Sequence, residues 1–219
     1  TAICGGLNIN IGTLNSRTVT SMLLAAKRPI SWDTRGAGPV GAGASRLRTD
    51  TAFRLLREVQ FTVIRGNISE IKTLASGAGT TKGGMQMSDK VTEENLDSAV
   101  AFASFAARTG AVIAITGAID IVADAQKAYC IRNGNAMMSS ITGTGCQLSA
   151  LTAAFVTANP GHPLEAAAAA VCAMGLAGEI AHQRLTPQDG NATYRNYIID
   201  AIYNMTPEQL EKGANYEVR

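Results

Sequence analysis

The sequence predicts a three-layer α/β/α sandwich around a mostly parallel central sheet with a hairpin at one edge. In the first half of its 219 residues, short apolar runs alternate with segments of helical periodicity, as in parallel strands joined by helices. Two further runs, at residues 119–124 and 127–131, flank a two-residue turn, which is typical of a β-hairpin. A Gly-rich turn at residues 142–145 then leads into another helix. We expect one domain spanning residues 1–219.

The composition is that of an ordinary globular protein, with 46% hydrophobic and 16% charged residues. A net charge of +2 without a basic patch, together with only 5% aromatic residues, argues against nucleic-acid binding. No apolar run is expected to reach membrane-spanning length. The four cysteines are scattered, and no signal peptide is recognised. We therefore expect a cytoplasmic protein that binds neither nucleic acid nor a membrane.

The chain begins with a strand-to-helix unit. The apolar run at residues 7–14 ends in Gly-Thr, as a buried parallel strand does before a turn. Asn15 or Ser16 can cap a helix that continues to Arg28, because apolar residues recur on one face of that segment. The next stretch, residues 29–38, shows no alternation and little β-branched content, so no strand is predicted there.

The second unit carries a candidate metal site. A helix that starts at residues 49–50 precedes a strand at 61–64, which delivers Arg65, Asn67 and Glu70 to the carboxyl edge of the sheet. Arg65 is expected to be mostly solvated or bound to phosphate. Asn67 and Glu70 face the same way, and their oxygens suit Mg²⁺ held mainly through water. The alternative is a capping box, with Asn67 as the cap and Glu70 reaching back.

The third unit offers a second polar strand end. A helix over residues 92–108 leads to an apolar strand at 111–115, which is followed by Thr116 and a glycine. A hydroxyl and a glycine in that position can hold a phosphate, although a simple turn explains them equally well. Asp120 is interpreted as a structural acid, with a nucleotide contact as the alternative. The Gly-rich segment at 77–83 lacks the spacing of a phosphate loop and is interpreted as a flexible loop.

The Gly-rich turn at residues 142–145, which leads into a helix, is the strongest candidate site. Gly143 and Gly145 can adopt positive φ, and the first N–H groups of a helix lack intrahelical acceptors and carry the positive end of its dipole. The turn therefore suits an anion, although alone it could be an ordinary tight turn. Cys146 follows directly, and the helix ends at residues 159–161.

The rest of the chain closes the domain. An alanine-rich helix follows Pro163, and its residues 166–170 suggest packing between subunits. His182, near its end, is interpreted as a helix-terminus residue. Thr206 and Pro207 predict the start of a last short helix.

Four strings, in this order, resemble the hydroxyethylthiazole kinase family. They are Asn-Ile-Gly-Thr-Leu at 10–14, Pro-Val-Gly-Ala-Gly at 39–43, Arg-Gly-Asn-x-x-Glu at 65–70 and Gly-Thr-Gly-Cys at 143–146. The resemblance covers nearly the whole chain and implies the ribokinase-like fold. It also implies transfer of the ATP γ-phosphate to 4-methyl-5-(2-hydroxyethyl)thiazole with Mg²⁺, in a homotrimer whose active sites lie between subunits.

The resemblance assigns roles to residues already singled out. It implies ATP contacts at Arg65, Thr116, Thr144 and Gly145, a substrate contact at Gly143, and a metal site at Asn67 and Glu70. Phosphoryl transfer depends mainly on such charge neutralisation and alignment.

Cys146 stands where most sugar kinases of this superfamily place an aspartate base, so the resemblance makes it the catalytic residue. A helix N-terminus favours the thiolate form of a cysteine. Two alternatives are a small buried hydrophobic residue and the nucleophile of a covalent hydrolase. The sequence context of His162 and His182 does not indicate a partner base for the hydrolase.

Two departures from the family pattern support an alternative function, a catalytically degenerate homologue that binds nucleotide or packs into a trimer. The family's N-terminal segment is not part of this sequence, and Gly38 stands where the family has an aspartate. Codons can be chosen for residues 31–38 that, read one base later, encode Ala-Gly-Thr-Pro-Gly-Val-Leu-Asp, the strand that the family pattern contains. We therefore hypothesise a compensated frameshift there, which resequencing of the DNA would test.

Overall fold

The computed structural model describes residues 3–28, 34–38, 41–77 and 90–219. It contains a seven-stranded sheet in which the strands follow one another in chain order. The strands are β1 (Gly6–Asn10), β2 (Thr34–Gly38), β3 (Val63–Asn67), β4 (Val112–Thr116), β5 (Asp120–Ala123), β6 (Ala128–Ile131) and β7 (Tyr216–Val218). Residues 29–33, most of the predicted loop at 77–83, and residues 39–40 lie outside the described ranges. The predicted sandwich is confirmed.

Helices cover both faces of the sheet. They are α1 (Ser16–Ala26), α2 (Arg46–Glu58), α3 (Ile68–Gly77), α4 (Leu96–Ala106), α5 (Thr144–Ala158), α6 (Pro163–Gln183), α7 (Asn191–Asn204) and α8 (Pro207–Gly213). One apolar cluster joins the sheet to α1–α4, and a second joins its other face to α5–α7. The predicted start of α8 is confirmed, since the Thr206 hydroxyl accepts from the Gln209 N–H and Pro207 is the first helical residue.

Strands β1 to β4 are parallel, and β2 corrects the sequence interpretation of residues 29–38. Residues 34–38 pair with β1 from Gly6↔Thr34 to Asn10↔Gly38 and also pair with β3. The absence of large β-branched residues does not prevent a strand here, because α5 packs closely on this part of the sheet. A Cβ at Gly38 would lie 3.3 Å from the Ser149 hydroxyl oxygen of α5. Close packing against a helix therefore takes the place of side-chain propensity.

The antiparallel half of the sheet contains the predicted hairpin, β5 and β6, but the hairpin does not form the edge. Strand β7 pairs with β6, from Tyr129↔Val218 to Ile131↔Tyr216, and continues the sheet. Ion pairs hold this added strand, since Arg132 bridges Glu93 and Glu217 at 2.8 and 3.3 Å. Three half-exposed residues at the end of a chain carry no strand pattern that sequence analysis could recognise.

Helix α6 corrects the expectation that no apolar run reaches membrane-spanning length. Its 21 residues have a hydropathy that would suit a membrane-spanning helix, but 78% of the most apolar window is buried inside the fold. Ala167 and Ala170 are fully buried, so α6 is the core helix of its layer. The alanines at 166–170 therefore pack mainly within the subunit, and they give no support to an interface between subunits.

Replacing Gly175 with alanine is expected to lower the free energy of unfolding by about 1–3 kcal/mol or more, measured by chemical denaturation. A Cβ at this position of α6 would lie 2.7 Å from the Asn133 backbone carbonyl carbon and oxygen, which cannot move aside as a side chain can. Gly161→Ala is the matched control, because nothing lies within 4 Å of a Cβ there and its cost should be within about 0.5 kcal/mol. Equal costs for the two variants would contradict this packing argument.

Candidate active site

The candidate site lies where the carboxyl ends of β1–β4 meet the N-terminus of α5. The sheet register places Asn10 beside Gly38 and Asn67 beside Thr116. Helix α5 lies against β1 and β2 and begins directly above this edge. Because the ends of parallel strands and the N-terminus of a helix converge there, the edge is a suitable place for an anionic ligand.

The turn before α5 has the geometry that the sequence predicts. Gly143 is the N-cap with φ of 101° and ψ of −6°, a left-handed conformation that disfavours residues with a Cβ. It provides no side-chain cap to the helix, whose first residue, Thr144, is half-buried. The first N–H groups of α5 therefore remain suited to an anion, as helix N-termini generally are.

Arg65 lies directly beneath this turn. Its Nη1 donates to the Gly145 carbonyl oxygen at 3.2 Å, and a Cβ at Gly145 would lie only 3.0 Å from its Nη2. Of the two alternatives expected for Arg65, the solvated one is wrong, since the residue is 8% exposed, and the contact with phosphate stays a prediction. The reason is that its side chain points toward α5, which covers it. The close approach of the guanidinium therefore favours glycine at position 145.

The charge of Arg65 is the electrostatic centre of the site. Burial lowers the pKa of the guanidinium, while interactions with Glu70, Asp120 and Cys146 act in the opposite direction. Its buried Nε has no hydrogen-bond partner among the described residues. A buried cation with an unused donor, directly behind a helix N-terminus, adds to the positive potential of the turn.

Asn67 and Glu70 form the capping box that the sequence suggested as the alternative to a metal site. The Glu70 N–H donates to Asn67 Oδ1 at 2.9 Å, and the Asn67 N–H donates to Glu70 Oε2 at 2.9 Å. Glu70 Oε1 also accepts from the Gly41 N–H at 2.7 Å, which ties the turn after β2 to α3. The capping role is therefore present, and it does not by itself exclude a metal role.

These donors suit a divalent cation bound through water better than a cage of protein ligands. Among the described residues, no group of three or more His, Cys, Asp or Glu side chains is placed to hold a metal ion. The Glu70 carboxylate and the Asn67 amide oxygen each keep a lone pair beyond the capping bonds. They fit Mg²⁺, which usually retains several waters and takes only one or two carboxylates from the protein.

Thr116 and Asp120 shape the neighbouring turn. Thr116 Oγ1 lies 3.5 Å from the Gly66 carbonyl oxygen, and the Gly117 N–H donates to Asp120 Oδ1 at 2.7 Å. Burial raises the pKa of the Asp120 carboxyl to about 7, although the Gly117 N–H and the Arg65 charge lower it. The structural interpretation of Asp120 is supported, since the carboxylate holds the turn that carries Thr116.

Replacing Asp120 with asparagine is expected to make stability less dependent on pH. The folded-state pKa of about 7 lies above the ordinary value of 3.8, so wild-type stability from this group is present at low pH and is lost as pH rises from about 4 to 7. Asparagine can still accept from Gly117. Linkage amounts to roughly 3 kcal/mol between pH 4.5 and 7.5, so the melting temperature of the variant relative to wild type should rise by up to about 6–12 °C over that range, measured by calorimetry. A constant difference would contradict the raised pKa.

Cys146 is exposed in the first turn of α5, which excludes the interpretation as a small buried hydrophobic residue. Its Sγ accepts a hydrogen bond from Asn10 Nδ2 at 3.2 Å. The sequence analysis missed Asn10, and the available signal was its position as a polar residue at the carboxyl end of the first strand. Among the described contacts, neither histidine meets Cys146: His162 precedes α6, and His182 packs edge-on against Tyr194. The hydrolase alternative therefore gains no support.

Gly38 leaves the end of β2 without a side chain. Its carbonyl oxygen accepts from the Ile11 N–H at 3.3 Å, and Ser149 of α5 lies above it. The position is at the centre of the site edge, beside Asn10.

Comparison with known proteins shows which family the chain belongs to. Residues 1–208 match the model of the hydroxyethylthiazole kinase family. The hydroxyethylthiazole kinase of Clostridium acetobutylicum is 57% identical over 225 aligned residues, which cover 99% of this chain and 81% of that protein. The hydroxyethylthiazole kinase of Ruminiclostridium cellulolyticum is 41% identical, over 94% of this chain and 74% of that protein.

Comparison with solved structures is consistent with this family. The structure of the Pyrococcus horikoshii hydroxyethylthiazole kinase matches 98% of this chain and 77% of its own, with a TM-score of 0.82 at 27% identity. The Staphylococcus aureus pyridoxal kinase, solved in complex with AMP-PCP and pyridoxal, matches 97% of this chain and 72% of its own, with a TM-score of 0.58 at 16% identity. The second likeness is one of fold alone, and together with the first structure it confirms the predicted ribokinase-like fold.

Proposed function

We propose that this chain phosphorylates a thiazole alcohol, because it belongs to the hydroxyethylthiazole kinase family. The substrate is 4-methyl-5-(2-hydroxyethyl)thiazole, its hydroxyethyl oxygen receives the γ-phosphoryl group of ATP, and the reaction serves thiamine biosynthesis and salvage. The observation that carries the proposal is the match over residues 1–208 to that family, together with a relative that is 57% identical.

In this proposal, the Gly-rich turn at residues 142–145 binds the transferring phosphoryl group. The N–H groups at Thr144 and Gly145 face the phosphate oxygens, and Arg65 adds a full positive charge from behind the turn. Thr116, at the end of β4, contacts a second ATP phosphate. These groups stabilise negative charge without moving, and such preorganised charge is the main requirement of phosphoryl transfer.

Cys146 is the general base, and Gly143 leaves room for the substrate beside it. The alcohol loses a proton to Sγ as its oxygen approaches the phosphorus. The sulfur is exposed at the first turn of α5 and accepts a hydrogen bond from Asn10, so an incoming hydroxyl can reach it. The donor atoms of Asn67 and Glu70 suit Mg²⁺ held through water, and that ion would neutralise charge on the ATP phosphates.

A homotrimer in the cytoplasm, with shared sites, is part of the proposal. Large apolar side chains are exposed on α1, α2 and α7, with Leu24 64%, Leu47 52% and Tyr203 88% exposed. These are single residues on separate helices, so the trimer rests on the family resemblance and not on a continuous apolar patch. Light scattering at micromolar concentration is expected to give a mass three times that of the single chain. A stable monomer would contradict the shared-site arrangement.

The alternative is a degenerate homologue that binds nucleotide without turnover, and Gly38 is the observation that favours it. An aspartate side chain is missing at the centre of the site edge, and its place is partly closed by Ser149. A coupled assay of ADP release, with and without the thiazole alcohol, separates the two. Release that depends on the alcohol supports the kinase, whereas nucleotide binding without release supports the degenerate homologue.

A further inference from the structure

Asn10 connects the first strand to the helix that carries Cys146, although the two residues are 136 positions apart in the chain. Asn10 is the last residue of β1, and its amide is fixed in orientation. Oδ1 accepts from the Gly12 N–H at 2.7 Å, so Nδ2 must face Cys146 Sγ, which lies 3.2 Å away. The loop that holds Gly12 is itself fixed, because Arg48 Nη2 donates to the Gly12 carbonyl oxygen at 2.6 Å.

We propose that Asn10 is a positioning residue for the phosphoryl transfer, whose amide N–H holds the Cys146 sulfur in place and favours its thiolate form. The inference rests on the proposed function in that Cys146 is taken as the base. It goes further by assigning the control of this sulfur to a residue on another element of the sheet.

The physical reason is the difference between a thiol and a thiolate as acceptors. A thiol is a weak acceptor, whereas hydrogen bonds to an ionised acceptor are about twice as strong as neutral ones, so an N–H donor stabilises the ionised sulfur more. The sulfur lies in the first turn of α5 and accepts from the Asn10 amide of β1, and Cys146 also interacts electrostatically with the Arg65 guanidinium of β3. Glu70 and Asp120 interact with the same guanidinium and partly offset its charge.

Asn10→Asp tests the proposal with little change in shape. An aspartate oxygen can still accept from the Gly12 N–H, but the second oxygen presents a negative acceptor to the sulfur in place of a donor. The thiolate should then be disfavoured, whereas the fold of the loop should remain. Asn8→Asp is the matched control, because Asn8 lies two residues earlier on the same face of β1 and is exposed.

The first measurement is the rate of alkylation of Cys146 by iodoacetamide as a function of pH, without ATP or thiazole. It is made in a Cys4→Ser background, because Cys4 is also exposed while Cys130 and Cys172 are buried. Asn10→Asp should move the midpoint of the profile upward by about one pH unit and lower the rate at pH 7 about tenfold. Asn8→Asp should leave the midpoint unchanged. An unchanged midpoint in folded Asn10→Asp would overturn the proposal.

The second measurement separates positioning from a merely structural role. Asn10→Asp should lower kcat while the KM for ATP stays within about twofold. Asn10→Ala, which removes the donor without adding charge, should shift the alkylation midpoint in the same direction by a smaller amount. A lower kcat with an unchanged alkylation profile would contradict control through the sulfur. If no kinase activity is found in the parent protein, the alkylation profile still decides the inference, so the two failures are distinguishable.

Discussion

Cys146→Ser is expected to lower turnover about 10²–10⁴-fold and to leave ATP affinity nearly unchanged, because a general base is typically worth that factor. A serine hydroxyl does not ionise near neutral pH and cannot accept the proton of the alcohol. The nucleotide contacts, in contrast, come from the backbone of the α5 turn and from Arg65, which the substitution leaves in place. Steady-state kinetics, with ATP affinity measured by calorimetry, checks both parts.

Cys146→Asp is the companion variant and is expected to retain activity. A carboxylate can accept the proton, and Asn10 Nδ2 can donate to it as it does to the sulfur. A covalent nucleophile would not be replaced in this way, so loss of activity in both variants would favour covalent catalysis. Undiminished turnover in Cys146→Ser would remove Cys146 from the mechanism. The test is most direct in a version with the family's Val-Leu-Asp strand and N-terminal segment added.

Sequence patterns correctly predicted the elements that are stabilised by residues close to one another in the sequence. The helix after Asn15 and the hairpin of β5 and β6 follow from capping and alternation, and both are present. Strand β2 could not be predicted, because its residues form a strand through contacts with α5, more than a hundred residues later. The same is true of β7, which depends on pairing with β6.

The candidate site was predictable to a similar extent. The turn at Gly143 and the pair of Asn67 and Glu70 are recognisable because their residues are adjacent or three apart. The contact of Asn10 with Cys146 and the burial of Arg65 under Gly145 depend on how the sheet and α5 meet, which no local pattern encodes. The residues at the ends of β3 and β4 were therefore recognisable from the sequence, whereas Asn10 at the end of β1 and the contacts between elements became evident only from the fold.

Arg65→Met is expected to weaken ATP binding about 10²-fold, measured as Kd by calorimetry. Methionine fills much of the same space but cannot donate hydrogen bonds. Loss of the full positive charge directly behind the phosphate-binding turn, at about 2.7 kcal/mol, corresponds to this factor and lies within the range of one charge-assisted interaction. Arg54→Met is the control, because Arg54 is an exposed arginine of α2 that pairs with Glu58, and ATP affinity should not change.

The same variant separates a binding role from a structural one, because Arg65 is buried and its Nε has no partner among the described residues. Replacing the buried charge with an apolar residue of similar size removes its desolvation cost, and Asp120, which loses a nearby positive charge, can take up a proton because its pKa is already raised to about 7. We therefore expect a change in the free energy of unfolding of less than about 1.5 kcal/mol. Alanine is a poorer choice, since it would leave a cavity beneath Gly145. A loss of about 3 kcal/mol or more with unchanged ATP affinity would make Arg65 a structural residue that supports the α5 turn, and the phosphate contact would then have to come from the N–H groups of the turn alone.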